Sequence, residues 1–134
     1  MKYSDSLIEE IIVALNNANY EVRYYFNKET REVDYSVEYI IEEQDNEEGR
    51  IDFSDWIEIE GIKSYEKYNL MQDFTARQND RLREILDVAL NGKGTFRRFK
   101  DVLYRYPEEE KNWYEFEHNW LKQRAIEFLD KVYS

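Results

Sequence analysis

Leu7, Ile8, Ile11, Ile12 and Leu15 recur at helical spacing, so residues 6–17 present one apolar stripe. Ser6 followed three positions later by Glu9 has the form of a capping box for that helix. The period then drops to two. Tyr20, Val22, Tyr24 and Phe26 fall on one face of residues 20–27, and Glu21, Arg23, Tyr25 and Asn27 on the other. After a polar turn at 28–31, Val33, Tyr35, Val37, Tyr39 and Ile41 alternate with Asp34, Ser36, Glu38 and Glu42. Two alternating runs joined by a short turn predict an antiparallel hairpin. A third strand is expected over 56–60, reached through the acidic loop 42–50.

From Ser64 the helical period returns. Tyr65, Tyr68, Met71 and Phe74 fall three apart, and Leu82, Ile85, Leu86, Ala89 and Leu90 form an i, i+3, i+4, i+7, i+8 stripe. Gly92 follows that stripe where a helix C-terminus favours positive φ. Phe96, Phe99, Leu103 and Tyr106 line the next helix, which Pro107 ends. A last helix begins at Pro107 or at Asn112, where Glu115 would complete a cap, and carries Trp113, Phe116, Trp120, Leu121, Ala125, Phe128, Leu129 and Val132. The order predicts an α+β fold: an N-terminal helix, a three-stranded antiparallel sheet, then four helices packed on one sheet face. With 134 residues and no internal repeat, the chain reads as one domain with an acidic helix-hairpin half, 1–62, and a helical half, 63–134.

Composition changes the picture through charge. The chain carries −11, with 30 Asp/Glu against 19 Lys/Arg. Residues 1–62 hold 17 acids and 5 bases, net −12, whereas 92–105 hold five bases and one acid, net +4. A negative field of that size repels nucleic acid and anionic membranes and steers a basic partner toward the N-terminal half. Tyr25, set beside Glu21 and Arg23 on the polar face of the hairpin, and Glu38, Glu42, Glu43, Glu47 and Glu48 are the candidate partner-binding residues. Solubility alone is the plainer explanation of the same acids. Tyr20, Tyr24, Tyr35 and Tyr39, by contrast, are expected on the core face of the hairpin.

The basic segment is the second candidate. If Thr95 or Gly94 caps the helix, Arg97 and Arg98 lie in its first turn, where cations oppose the macrodipole. Lys93, Gly94, Thr95, Arg97, Arg98 and Lys100 would then hold a phosphate or carboxylate, as in a nucleotide or an RNA end. The competing expectation is that Arg97 and Arg98 pair with the protein's own acids, Asp101 foremost. The segment is not a P-loop, because Lys93 is followed by Gly94 rather than Ser or Thr.

Other chemistry finds little support. There is no cysteine, hence no disulfide, thiolate zinc site or thiol nucleophile, and no serine sits in a nucleophile motif. His118, the one histidine, has Glu115 and Glu117 beside it, which read as ordinary helix-surface acids. Residues 44–55 only faintly match a calcium loop: Gly49 could be its central glycine and Asn46, Glu48 and Asp55 ligands, but Gln44 stands first, the last position is Asp rather than Glu, and strands flank the segment. We therefore expect no enzyme, no cofactor and no metal. Met1-Lys2-Tyr3-Ser4-Asp5 shows no apolar signal-peptide run, and no stretch approaches ~18 apolar residues, so a cytoplasmic protein is expected.

Met71, Asp73 and Phe74, the run Gly92-Lys93-Gly94-Thr95-Phe96-Arg97-Arg98-Phe99-Lys100-Asp101-Val102-Leu103, and Trp113 with Phe116 together resemble Uncharacterised Protein Family 0158, a group of small bacterial proteins. The resemblance implies an N-terminal helix followed by a strand hairpin, and a bacterial or phage origin. It departs at the hairpin turn, where Arg31 stands in place of a usual glycine. The family has no assigned activity, cofactor or catalytic residues, so no functional residue is carried over.

Overall fold

A computed structural model describes residues 2–37 and 51–134. Its described elements are α1 (Asp5–Asn17), β1 (Val22–Phe26), β2 (Val33–Val37), β3 (Ile57–Ile59), α2 (Ser64–Ala76), α3 (Asp80–Ala89), α4 (Thr95–Tyr104) and α5 (Pro107–Val132). This is the expected α+β order, one helix, three antiparallel strands and four further helices. The chain divides into two compact units, one made of 1–62 with 121–134 and the other of 63–120. The division at 62/63 matches the change from hairpin to helical sequence, but the end of α5 belongs with the N-terminal unit. No helix among the described residues is long and apolar enough to cross a membrane.

In the first unit, α1 starts one turn fragment earlier than its apolar stripe suggests. Ser4, not Ser6, is the N-cap, and its hydroxyl accepts the Leu7 N–H at 3.1 Å. Capping is decided by which residue leaves the helical conformation, and Ser4 does so at φ −69, ψ 151. Leu7, Ile8, Ile11, Ile12 and Leu15 are buried as their spacing requires. The sheet has the order β2-β1-β3, with both pairings antiparallel. Register sets Phe26 opposite Val33 and Ile57, and Tyr24 opposite Tyr35 and Ile59. Phe26 and Ile59 are fully buried on this face, and Phe26 meets the edges of Phe128 and Tyr133 at 5.9 and 6.1 Å.

Two tyrosines depart from the expected core face. Tyr20 lies before β1 and is 78% exposed, because the Asn19 side chain holds a turn there by accepting the Glu21 and Val22 N–H groups. Tyr35 is in register but 55% exposed, since among the described residues β2 is an edge strand and Tyr24 alone flanks its ring, at 5.5 Å. Tyr39 lies outside the described residues.

The hairpin turn resolves the departure at Arg31. That residue adopts φ 63, the left-handed conformation that glycine takes freely and other residues take at a cost of about 1 kcal/mol. Asn27 supports the turn by accepting the Glu29 and Thr30 N–H groups, each at 3.0 Å. The Arg31 guanidinium lies 4.9 Å from the Tyr133 ring centre and 5.9 Å from that of Tyr3, while the Tyr133 hydroxyl donates to the Lys28 carbonyl. An arginine here ties the hairpin tip to both ends of its unit.

The second unit has its own core. Leu70, Met71, Phe74, Leu82, Leu86, Leu90, Phe99, Leu103 and Trp113 form one buried cluster, with Trp113 edge-on to Phe74 at 5.4 Å and to Phe99 at 5.0 Å. Tyr65 is not part of it, being 63% exposed. A spacing of three advances only 300° per step, so a run from 65 to 74 crosses half the helix circumference. Phe96, at the first turn of α4, is 38% exposed. Pro107 ends the approach from α4 and begins α5 at once, so the Asn112 cap does not form. Glu108, Glu109 and Glu110 then fill the first turn of α5, the favourable end for negative charge.

Candidate functional site

Within the first unit, the face of the sheet opposite Phe26 carries Arg23, Tyr25, Asp34, Ser36 and Glu58, because Tyr25 pairs with Asp34 on β2 and with Glu58 on β3. Tyr25 therefore lies on the outward face, as its alternation with Phe26 demands. It is half-buried there because Phe53 stacks on it at 4.3 Å and 14°, and Trp56 meets Phe53 edge-on at 5.0 Å. The result is an aromatic ridge, Tyr25–Phe53–Trp56, with Asp34 and Glu58 as strand neighbours of Tyr25. Asp52 and Asp55 flank Phe53 and Trp56 in sequence.

Among the described residues, the charges of this face make only weak ion pairs. Arg23 reaches Glu58 only at 3.9 Å, with both side chains about half exposed, which neutralises little in water. Asp52 accepts the Ser54 N–H at 3.0 Å, and that hydrogen bond holds its carboxyl below the ordinary carboxylate value. Glu38, Glu42, Glu43, Glu47 and Glu48, the other candidates for partner binding, lie outside the described residues, as do residues 44–50 of the calcium-like loop. Phe53 and Trp56 were not singled out from the sequence. Their mutual spacing of three among acids was the available signal, but the placement of Phe53 over Tyr25 depends on the β1–β3 register.

The basic turn lies in the second unit. Gly92 and Gly94 both take positive φ, 94 and 70, and Gly94 rather than Thr95 is the N-cap of α4. The Thr95 hydroxyl turns back to donate to the Gly92 carbonyl at 3.0 Å, so no side chain caps α4. Arg98 does not point at the helix start. Its Nη1 donates to the Asn91 and Lys93 carbonyls at 2.6 and 3.3 Å, and its Nη2 to the Val88 carbonyl at 2.8 Å. Three of its five donors thus close the carbonyl end of α3, where positive charge is favoured.

The expected pairing of arginines with the protein's acids takes a different form from Asp101 alone. Arg97 meets Asp101 at 3.9 Å, with the two side chains 90% and 70% exposed, a weak contact. Arg98 is satisfied by backbone oxygens instead. Lys93 and Lys100 are exposed. The structure therefore gathers Lys93, Gly94, Thr95 and Arg97 at the start of α4, with Lys100 one turn further on, and commits three of the five Arg98 donors to backbone carbonyls.

A family model described as Uncharacterised protein family (UPF0158) matches residues 6–133, and the chain belongs to that family. No curated protein and no solved structure matches the chain.

Proposed function

We propose that this member of the family is a non-enzymatic, cytoplasmic interaction protein whose acidic unit engages a basic partner protein. One concrete form is a regulator or inhibitor that covers the nucleic-acid-binding surface of its target by mimicking nucleic-acid charge. The observation that carries the reading is the sorting of charge between the two compact units. Residues 1–62 with 121–134 hold 19 Asp/Glu against 8 Lys/Arg, net −11, and residues 63–120 hold 11 against 11, net zero. The whole net charge of the chain therefore resides in one unit. A surplus needed only for solubility has no reason to be confined in this way.

The outward sheet face supplies what such a contact needs beyond field. The Tyr25–Phe53–Trp56 ridge offers rigid aromatic area, and Asp34, Glu58, Asp52 and Asp55 offer partners for lysine or arginine. Affinity capture from host lysate tests the reading, comparing the native protein with Asp34→Lys/Glu58→Lys and with Glu38, Glu42, Glu43, Glu47 and Glu48 changed to Lys. Loss of a captured basic protein in both variants, and its release between about 0.1 and 0.5 M salt, is the expected result. Capture that is unchanged by either set of reversals rejects the proposal.

The alternative is an anion- or phosphate-binding module at the basic turn. It draws on the uncapped start of α4 and on Lys93, Arg97 and Lys100. The commitment of Arg98 to three carbonyls weighs against it. Titration with inorganic phosphate, read at the Gly94 to Arg98 amides by NMR, separates the two.

A further inference from the structure

Within the second unit, α3 and α4 leave a groove of about 390 Å³ between them. It is lined by Ile85, Val88, Ala89 and Val102 together with Arg98, Asp101 and Arg105. Val88 is 64% exposed, so part of the apolar lining is open to water. We propose that this groove docks an acidic amphipathic helix of a partner protein, apolar side chains down and carboxylates against the two arginines.

Three observations support that occupant. The first is charge. The charged side chains lining the groove are Arg98, Arg105 and Asp101, net +1 in a chain of −11, and among the described residues no carboxylate pairs with Arg105. Arg98 remains a cation, because hydrogen bonds to neutral carbonyls fix its direction without cancelling its charge. Asp101, the one acid at the rim, faces Arg97 at 3.9 Å. The second is shape. The wall residues recur at helical spacing on each side, 85, 88 and 89 against 98, 102 and 105, and the span from 98 to 105 is about 11 Å at 1.5 Å per residue. Such a trough receives two turns of helix through i, i+3, i+4 and i+7 anchors. The third is chemistry. A phosphodiester strand would gain nothing from four aliphatic side chains, whereas an amphipathic helix buries its own apolar face on them.

The test uses the full chain and two synthetic peptides of roughly 14 residues, each with leucines at i, i+3, i+4 and i+7. One carries glutamates at its flanking positions and the other lysines. Amide NMR should show the glutamate peptide shifting residues 85–90 and 94–105, with a Kd of about 10–100 μM. The lysine peptide should bind at least about tenfold more weakly. Val88→Asp and Arg105→Glu alter exposed positions, and far-UV circular dichroism checks that both keep the fold; each should weaken the glutamate peptide by about tenfold. Failure to bind below about 1 mM overturns the proposal. So do equal affinities for the two peptides, shifts centred elsewhere, or insensitivity to Val88→Asp. Preferential binding of a single-stranded oligonucleotide in the groove, or a concentration-dependent dimer abolished by Val88→Asp, would place a different occupant there and overturn it equally.

Discussion

Replacing Arg98 by alanine removes three hydrogen bonds that close α3, to the carbonyls of Val88, Asn91 and Lys93. A charged donor at a helix C-terminus contributes about 0.3–1 kcal/mol when exposed and up to ~2 when partly buried. Arg98 is intermediate in burial and one of its three bonds is long at 3.3 Å, so a loss of about 1.5 kcal/mol is expected for Arg98→Ala. A lysine ammonium is one nitrogen and cannot serve both the Asn91 and Lys93 oxygens that Nη1 reaches and the Val88 oxygen that Nη2 reaches, so Arg98→Lys should still lose about 1 kcal/mol despite keeping the charge. Two assays read the effect: urea unfolding, and amide exchange at Leu90 and Asn91, whose N–H groups donate to Leu86 and Val88 in the turn that Arg98 closes. Both variants should speed exchange there. An anion-binding arginine behaves oppositely. Arg98→Lys would then be nearly silent without phosphate, and millimolar phosphate would stabilise the native protein but not the alanine variant. A loss under about 0.3 kcal/mol for Arg98→Ala, or phosphate-dependent stability, refutes the capping role.

Gly61 approaches the end of α1 so closely that an added Cβ would lie well inside van der Waals contact of the Ala18 carbonyl oxygen and 3.1 Å from its carbon. Gly61→Ala should therefore cost about 2–4 kcal/mol, from overpacking plus strain on the neighbouring Ile62 N–H to Leu15 carbonyl bond at 2.9 Å, measured by urea unfolding; a cost below about 1 kcal/mol contradicts the contact. At the hairpin turn, Arg31→Ala keeps the positive φ and loses the stacking on Tyr133, whereas Arg31→Gly relieves the strain as it loses the stack. The glycine variant should exceed the alanine variant in stability by about 1 kcal/mol, and equal stabilities would deny the left-handed conformation. Asp130 accepts the Tyr3 hydroxyl at 2.6 Å and pairs with Lys2, and these contacts, Tyr3 first, hold its carboxyl below the ordinary 3.8. A depressed carboxyl stabilises above its unfolded pKa and loses that contribution as pH falls through the folded value. The stability deficit of Asp130→Asn should accordingly be full at neutral pH and shrink below about pH 4; a deficit unchanged at pH 3 refutes the linkage.

Local order was legible because it is written in nearest neighbours. The α1 stripe, the Val22–Phe26 and Val33–Val37 alternation, the Leu82–Leu90 stripe and the positive φ at Gly92 each need only a few adjacent residues to specify them. The acidic character of the N-terminal half is likewise a property of composition. Tertiary structure decided what depends on residues far apart in the chain. The β1–β3 register put Phe53 on Tyr25, and the end of α5 joined the N-terminal unit, taking its net charge from −12 to −11. Arg98 was legible as a cation in a first turn, yet its partners are the carbonyls that α3 happens to leave open across the Gly92–Gly94 turn. Side-chain charge and periodicity are carried by each residue, but hydrogen-bond partners and edge exposure belong to pairs of elements, and only their packing brings those pairs together.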